Sequence, residues 1–192
     1  MSRYLKYVIP FAILLIILIA YSYSSGWTIQ SVINPDSNFK WGVGINPYPT
    51  GEHSPEVFQT VLDNAHDLGV KWIKLEVPNY LEKPFEFTDP LVTTAQDQGF
   101  NVVLYFQPNK DFQDFADPYQ AGFDQAQAIA QHYPKIKYYQ LANEPAAGAI
   151  KPDWPGSNKE SYDEAKYQKV YEWLKGAVEG INKVNSKAKK IV

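Results

Sequence analysis

Six carboxylate and carboxamide side chains fall at the ends of short apolar runs. They are Asn46 after WGVGI, Glu76 and Asn79 in and after VKWIKLEV, Gln107 after FNVVLYF, and Asn143 with Glu144 after IKYYQLA. Polar groups that repeatedly follow buried strands sit where loops gather and where a ligand can enter. Glu144, between Asn143 and Pro145, has the most definite chemistry among them. If strand alternation runs through YYQLANE, then Tyr138, Gln140, Ala142 and Glu144 share one face, opposite Tyr139, Leu141 and Asn143. Facing into a closed sheet beside apolar and amide groups, the Glu144 carboxyl would lose solvation and be prepared to donate a proton near neutral pH. Cleavage of a glycosidic bond needs such a donor, because the sugar oxygen leaves poorly until it is protonated. A Glu-Pro pair also occurs in ordinary strand-to-loop turns, so its meaning depends on what positions it.

The elements around these residues repeat. Ser54-Pro55, Asp89-Pro90 and Asp117-Pro118 each place an acceptor at a helix N-cap and a proline at the first helical position, so each predicts a helix start. Val57, Phe58, Val61, Leu62, Ala65 and Leu68 fall at helical spacing and stop before Gly69. Leu91, Val92 and Ala95 do the same before Gly99. The strands after the two glycines, VKWIKLEV and FNVVLYFQ, hold equivalent places, which is internal βα repetition. Phe123, Ala126, Ile129 and Ala130 predict a third helix ending at Tyr133-Pro134, before the strand that carries Glu144. Val170, Leu174, Val178, Ile181 and Val184 predict a fourth, and Lys190-Ile191-Val192 the start of a fifth strand.

Strands alternating with helices require a parallel sheet and an α/β fold. A doubly wound sheet would carry a GxGxxG turn after its first strand, and WGVGINPYPTGEHS has none. A (β/α)8 TIM barrel instead gathers polar groups at the C-terminal strand ends, as found. The expected fold is that barrel, with its first four βα units and the start of strand five present.

Outside the barrel, Arg3 and Lys6 precede the apolar run Tyr7–Tyr21, the order of an export signal. Residues 1–25 read as a signal peptide or a transmembrane signal anchor, with small residues Ala20 and Ser22 suiting cleavage after Ser22. Residues 26–40 read as a polar tether and 41–192 as the N-terminal half of the barrel. The barrel part is expected outside the cytoplasm, membrane-anchored or secreted. A net charge of −3 without a basic stripe excludes a nucleic-acid partner. The absence of cysteine removes disulfides and thiolate chemistry. His53, His66 and His132 lack a metal-ligand spacing and read as surface residues. Lys74 and Glu76 share one side of a strand and are expected to form an ion pair. Trp154, in the loop AAGAIKPDWPGSN after Glu144, is placed to stack on a sugar ring or to anchor its loop. Tyr48 and Tyr80 share that ambiguity.

An Asn-Glu-Pro at the end of a fourth parallel strand, after a first strand ending Gly-Ile-Asn and a second reading VKWIKLEV, resembles the glycoside hydrolase clan A superfamily. Cellulase-like (family 5-like) and family 39-like enzymes belong to it, and the likeness covers Trp41 to Val192. The resemblance implies that Glu144 is the catalytic acid/base and that Asn143 bonds the 2-hydroxyl of the sugar; Asn46 and Trp154 are further substrate-binding candidates from their places at the same end of the strands. The implied reaction is retaining hydrolysis of O-glycosidic bonds in an extracellular oligo- or polysaccharide, without cofactor or metal. Two departures stand out. Lys74 occupies a position where many members have Arg, and it cannot make the same planar contact. The superfamily's nucleophile is a Glu at the end of strand seven, beyond the five strands here, so the chain by itself is expected to be inactive. The alternative is a membrane-tethered, non-catalytic carbohydrate-binding protein on the same scaffold. An aldolase-like or enolase-like barrel would need a Schiff-base lysine at a strand end or a carboxylate set for Mg²⁺, and neither pattern is evident.

Overall fold

The structure, a computed structural model, describes residues 42–45, 55–79 and 81–192. The expected export segment and tether, and Asn46, Tyr48, His53 and Tyr80, lie outside the described residues. Among the described residues, no helix is long and apolar enough to cross a membrane.

Strands β1 (Gly42–Ile45), β2 (Trp72–Val77), β3 (Asn101–Phe106), β4 (Tyr138–Leu141) and β5 (Lys189–Ile191) form one parallel sheet. Their spatial order is their sequence order, β1-β2-β3-β4-β5. Between them run α1 (Pro55–Asp67), α2 (Pro84–Asp97), α3 (Pro118–His132) and α4 (Glu164–Val184). Crossovers of one hand between consecutive neighbours carry every helix to the same face. The burial pattern agrees: Ile73, Leu75, Val77, Val102, Leu104, Phe106, Tyr139 and Leu141 join the helices in one core, with Leu62, Leu91, Ala126, Ile129 and Trp173. Trp72, Lys74 and Glu76 alternate with these and point to the other face. A doubly wound sheet reverses its order at a switch point and has helices on both faces. This sheet does neither.

Two helix ends follow the sequence reading closely. Gly69 and Gly99 have φ of 73° and 82°, and the residue after each donates back five positions, Val70 to Ala65 and Phe100 to Ala95. These are left-handed caps that only glycine adopts at little cost. Asp117 caps α3 as expected, its carboxylate accepting from the Gln120 N–H at 2.9 Å.

Other readings need correction. Helix α2 begins at Pro84, so Asp89-Pro90 lies inside it and caps nothing. An interior proline costs about 3 kcal/mol, but starting at Pro84 brings Phe85 against the core and buries Thr88 completely. The buried Thr88 hydroxyl is satisfied by the Pro84 carbonyl at 2.8 Å. Leu68, expected on the apolar face of α1, is 78% exposed because the chain has already left the helix. On α4 Val170 and Ile181 are buried as expected, but Trp173, Gly176, Ala177 and Gly180 complete the buried face, while Leu174, Val178 and Val184 are only partly buried. Helix α3 lies so close that a side chain at Gly176 or Gly180 would strike its backbone. That approach, together with the buried Val170 and Ile181, orients α4.

Candidate functional site

The ladder between β3 and β4 continues one residue past β4, with the Ala142 N–H donating to the Phe106 carbonyl at 2.8 Å. The backbone then turns sharply. Ala142 has φ of 60° and Glu144 φ of 46°, both in the left-handed region that L-residues avoid. Conformations of this kind cost of order 1–3 kcal/mol each and persist where the surroundings over-determine them, often at functional sites. The turn closes with the Ala147 N–H on the Glu144 carbonyl at 2.9 Å.

This geometry corrects the strand reading. Alternation stops at Leu141, so Glu144 is aimed by the strained turn and not by the pleat. Asn143 and Glu144 are neighbours on an exposed loop at the C-terminal end of β4. Among the described residues neither side chain has a hydrogen-bond partner, and the desolvation expected for Glu144 is not supplied by them.

The sheet face opposite the helices holds a second polar group. Parallel register sets Lys74 beside Val103 and Tyr138, and Glu76 beside Tyr105 and Gln140. The expected Lys74–Glu76 ion pair is not formed, since no contact within 4.0 Å joins them. Instead the Lys74 ammonium lies 4.9 Å from the centre of the Tyr105 ring. A methyl group at Gly44 would stand 3.1 Å from Lys74 Cε, so the absence of a side chain there makes room for the lysine stem. Burial raises the Glu76 carboxyl above its ordinary range, against a hydrogen bond from Gln107 and the Lys74 charge, which both lower it. Burial, reinforced by the Glu76 charge, pushes the Tyr105 phenol up to about 12. Lys74, Glu76, Tyr105 and Gln107 thus form one polar patch across β2 and β3. The sequence reading missed Tyr105, although its place two residues before Gln107 on β3 was the available signal. Asn79 has a structural task, its amide donating to the Pro108 carbonyl and joining the loops after β2 and β3.

Beyond Glu144 the loop is held at several points. Ile150 and Tyr162 form an antiparallel bridge, Lys151 N–H donates to Ser161, and Asp163 N–H donates to Ala149 at 2.8 Å. Trp154 is 47% exposed, and the Lys151 ammonium of the same loop lies over its ring, 5.3 Å from the centre. His132 is a surface residue as expected, and there its Nε2 lies 2.8 Å from Asp89 and its ring stacks on Phe85 at 4.2 Å, tying α3 to α2. His66 is exposed. Among the described residues, no three His, Asp or Glu side chains are grouped to hold a metal ion.

No protein-family model matches the chain, and no curated protein matches it.

Proposed function

We propose that the chain is part of a (β/α)8-barrel glycoside hydrolase of the retaining type, with Glu144 as acid/base and Asn143 as a sugar-binding neighbour. The observation carrying this reading is the position of Asn143-Glu144-Pro145. The motif follows the fourth strand of a sequentially ordered parallel sheet covered by helices on one face, on a turn whose backbone is strained at Ala142 and Glu144. A sheet wound in one direction only closes on itself as a barrel once enough strands are present, and barrel chemistry takes place at the C-terminal strand ends. Strain of this kind fixes a side chain's direction, which a proton donor requires.

The role assigned to Glu144 is to protonate the leaving sugar oxygen and then, as carboxylate, to deprotonate the water that releases the sugar. The double displacement needs a second carboxylate ~5–5.5 Å from the first. In this proposal strands beyond the five described supply it, together with the wall that takes Glu144 out of solvent. Asn46 and Trp154 would line the sugar path, and the substrate is an oligo- or polysaccharide outside the cytoplasm. In the barrel with all its strands, Glu144→Gln keeps the side-chain shape and removes the proton, so turnover on unactivated glycosides should fall by ~10²–10⁴-fold. Aryl glycosides with good leaving groups should lose much less in the first step. Wild-type turnover by the Gln variant on an unactivated glycoside would refute the assignment.

The exposure of Glu144 favours a second reading, a non-catalytic carbohydrate-binding protein tethered to the membrane through its N-terminal segment. The same experiment separates the two, since in that case no glycoside is turned over before or after the substitution.

A further inference from the structure

Several cavities bordered by described residues lie away from the strand ends that carry Glu144. Those around Pro134–Tyr138 and around Phe100–Val102 lie where β4 and β3 begin, and another sits between Asp63, His66, Asp67 and Gln98 at the ends of α1 and α2. A cavity of about 480 Å³, bordered by Ala146, Lys159, Tyr162, Glu164 and Tyr167, lies on the loop that leaves Glu144. Ala146 is two residues beyond Glu144, so the cavity adjoins the strained turn.

Its walls are built, not incidental. Tyr162 is fixed by the bridge to Ile150 and by its hydroxyl donating to the Gly156 carbonyl at 2.9 Å. Gly156 has φ of 71°, a conformation that glycine adopts at little cost, and lies beside the Ile150 side chain, so the loop closes on Tyr162 with least strain when glycine is at this position. Tyr167 meets Tyr162 edge to face with centroids 5.8 Å apart, yet remains 42% exposed, so one ring is buttressed and the other offers a free face. Lys159 and Glu164 border the same space. The volume falls in the range of small-ligand sites, and a few convergent polar groups beside aromatic faces are the usual composition of such sites.

We propose that this cavity is an accessory subsite that binds one or two rings of a neutral oligosaccharide, stacked on Tyr167 and hydrogen-bonded through its hydroxyls to Lys159 and Glu164. One cation and one anion leave the lining without net charge, so neither a uronic acid nor an amino sugar gains a net attraction over a neutral sugar. Carbohydrate as ligand class rests on the hydrolase reading, whereas the cavity does not. A chain held here would lead past Ala146 toward Glu144.

The test is calorimetric titration of the detergent-solubilised full chain with cellohexaose, xylohexaose and mannohexaose, with hexagalacturonate as the charged comparison. At least one neutral hexasaccharide should bind, and Tyr167→Ala should weaken it by about tenfold or more. Tyr167→Phe should retain the affinity, because the stacking face survives. Circular dichroism should show the same melting temperature for all three proteins, since Tyr167 is half exposed. No binding by any neutral sugar, equal binding by wild type and Tyr167→Ala, or tighter binding of hexagalacturonate would overturn the proposal. Binding that depends on Tyr167 in a protein whose turnover ignores Glu144→Gln would uphold the subsite and remove the hydrolase reading.

Discussion

Replacing Gly176 by alanine should destabilise the protein, against the normal effect of that substitution in a helix. On an open helix Gly→Ala gains about 1 kcal/mol. Here the added methyl would stand 2.0 Å from the Tyr119 carbonyl oxygen, 2.8 Å from its carbon and 3.0 Å from the Phe123 nitrogen. All three are backbone atoms of α3 and cannot rotate away. Relief requires α4 to withdraw by about 1 Å, and a gap of that size forfeits a quarter to a half of each dispersion contact it opens. The contacts affected include Gly180 against Phe123 and Gly122 against Trp173, whose clearances of 2.3 and 2.1 Å are equally closed. Overpacking of this kind costs ~1–3 kcal/mol and occasionally more. With the helix-propensity gain subtracted, the net loss should be about 1 kcal/mol, or ~2–4 °C in melting temperature for a domain of this size. The control is Gly148→Ala, which has nothing within 4 Å of the added carbon. Thermal unfolding of the full chain, followed by circular dichroism, compares wild type with both variants. A Gly176→Ala protein that melts at or above the wild-type temperature would show that the close approach of α3 and α4 has been misjudged.

Glu76 is raised above its ordinary range by burial, so the folded chain holds its proton to higher pH than the unfolded chain does. Stability should therefore decline as pH rises from the ordinary Glu value through the raised one, and Glu76→Gln should flatten that decline. Parallel curves of melting temperature against pH for the two proteins would contradict it. Asp117→Ala removes the acceptor for the Gln120 N–H at the start of α3 and should cost ~1 kcal/mol, read as a lower melting midpoint. An unchanged midpoint would mean that water replaces the cap without loss.

The strands, their parallel direction and the glycine caps at Gly69 and Gly99 were legible because period-two and period-3.6 patterns are local, and so is the need for a positive φ at those caps. What escaped depends on partners distant in sequence. Phe85 and Thr88 draw the start of α2 back to Pro84 only because a core exists for them to enter, so propensity at Asp89-Pro90 pointed elsewhere. Gly122, Gly176 and Gly180 look like weak helix positions until two helices are brought together. At the candidate site the residue types were legible and their directions were not. Alternation carried Glu144 onto the inner face, whereas positive φ at Ala142 and Glu144 breaks the pleat. Lys74 and Glu76 were correctly placed on one side of β2, but the sequence could not show that Tyr105 and Gln107 would take each of them as partner.

The glycine seam and the strained turn are mechanically connected. Helix α4 starts directly after the loop that leaves Glu144, and its N-cap Asp163 is committed twice: the carboxylate accepts from Lys166, and the backbone N–H donates to Ala149 within the loop. One turn into α4, the Lys169 ammonium donates to the carbonyls of Gln113 and Phe115, in the segment that follows β3. The position of α4 thus fixes the far end of the loop, while the Ala142–Phe106 hydrogen bond fixes the near end. A left-handed alanine and a left-handed glutamate persist only if both ends are held, because each relaxes toward ordinary backbone when either is released. The contact that holds α4 in place is the glycine-lined face against α3. On this account the three glycines, remote from any chemistry, are what keep Glu144 aimed.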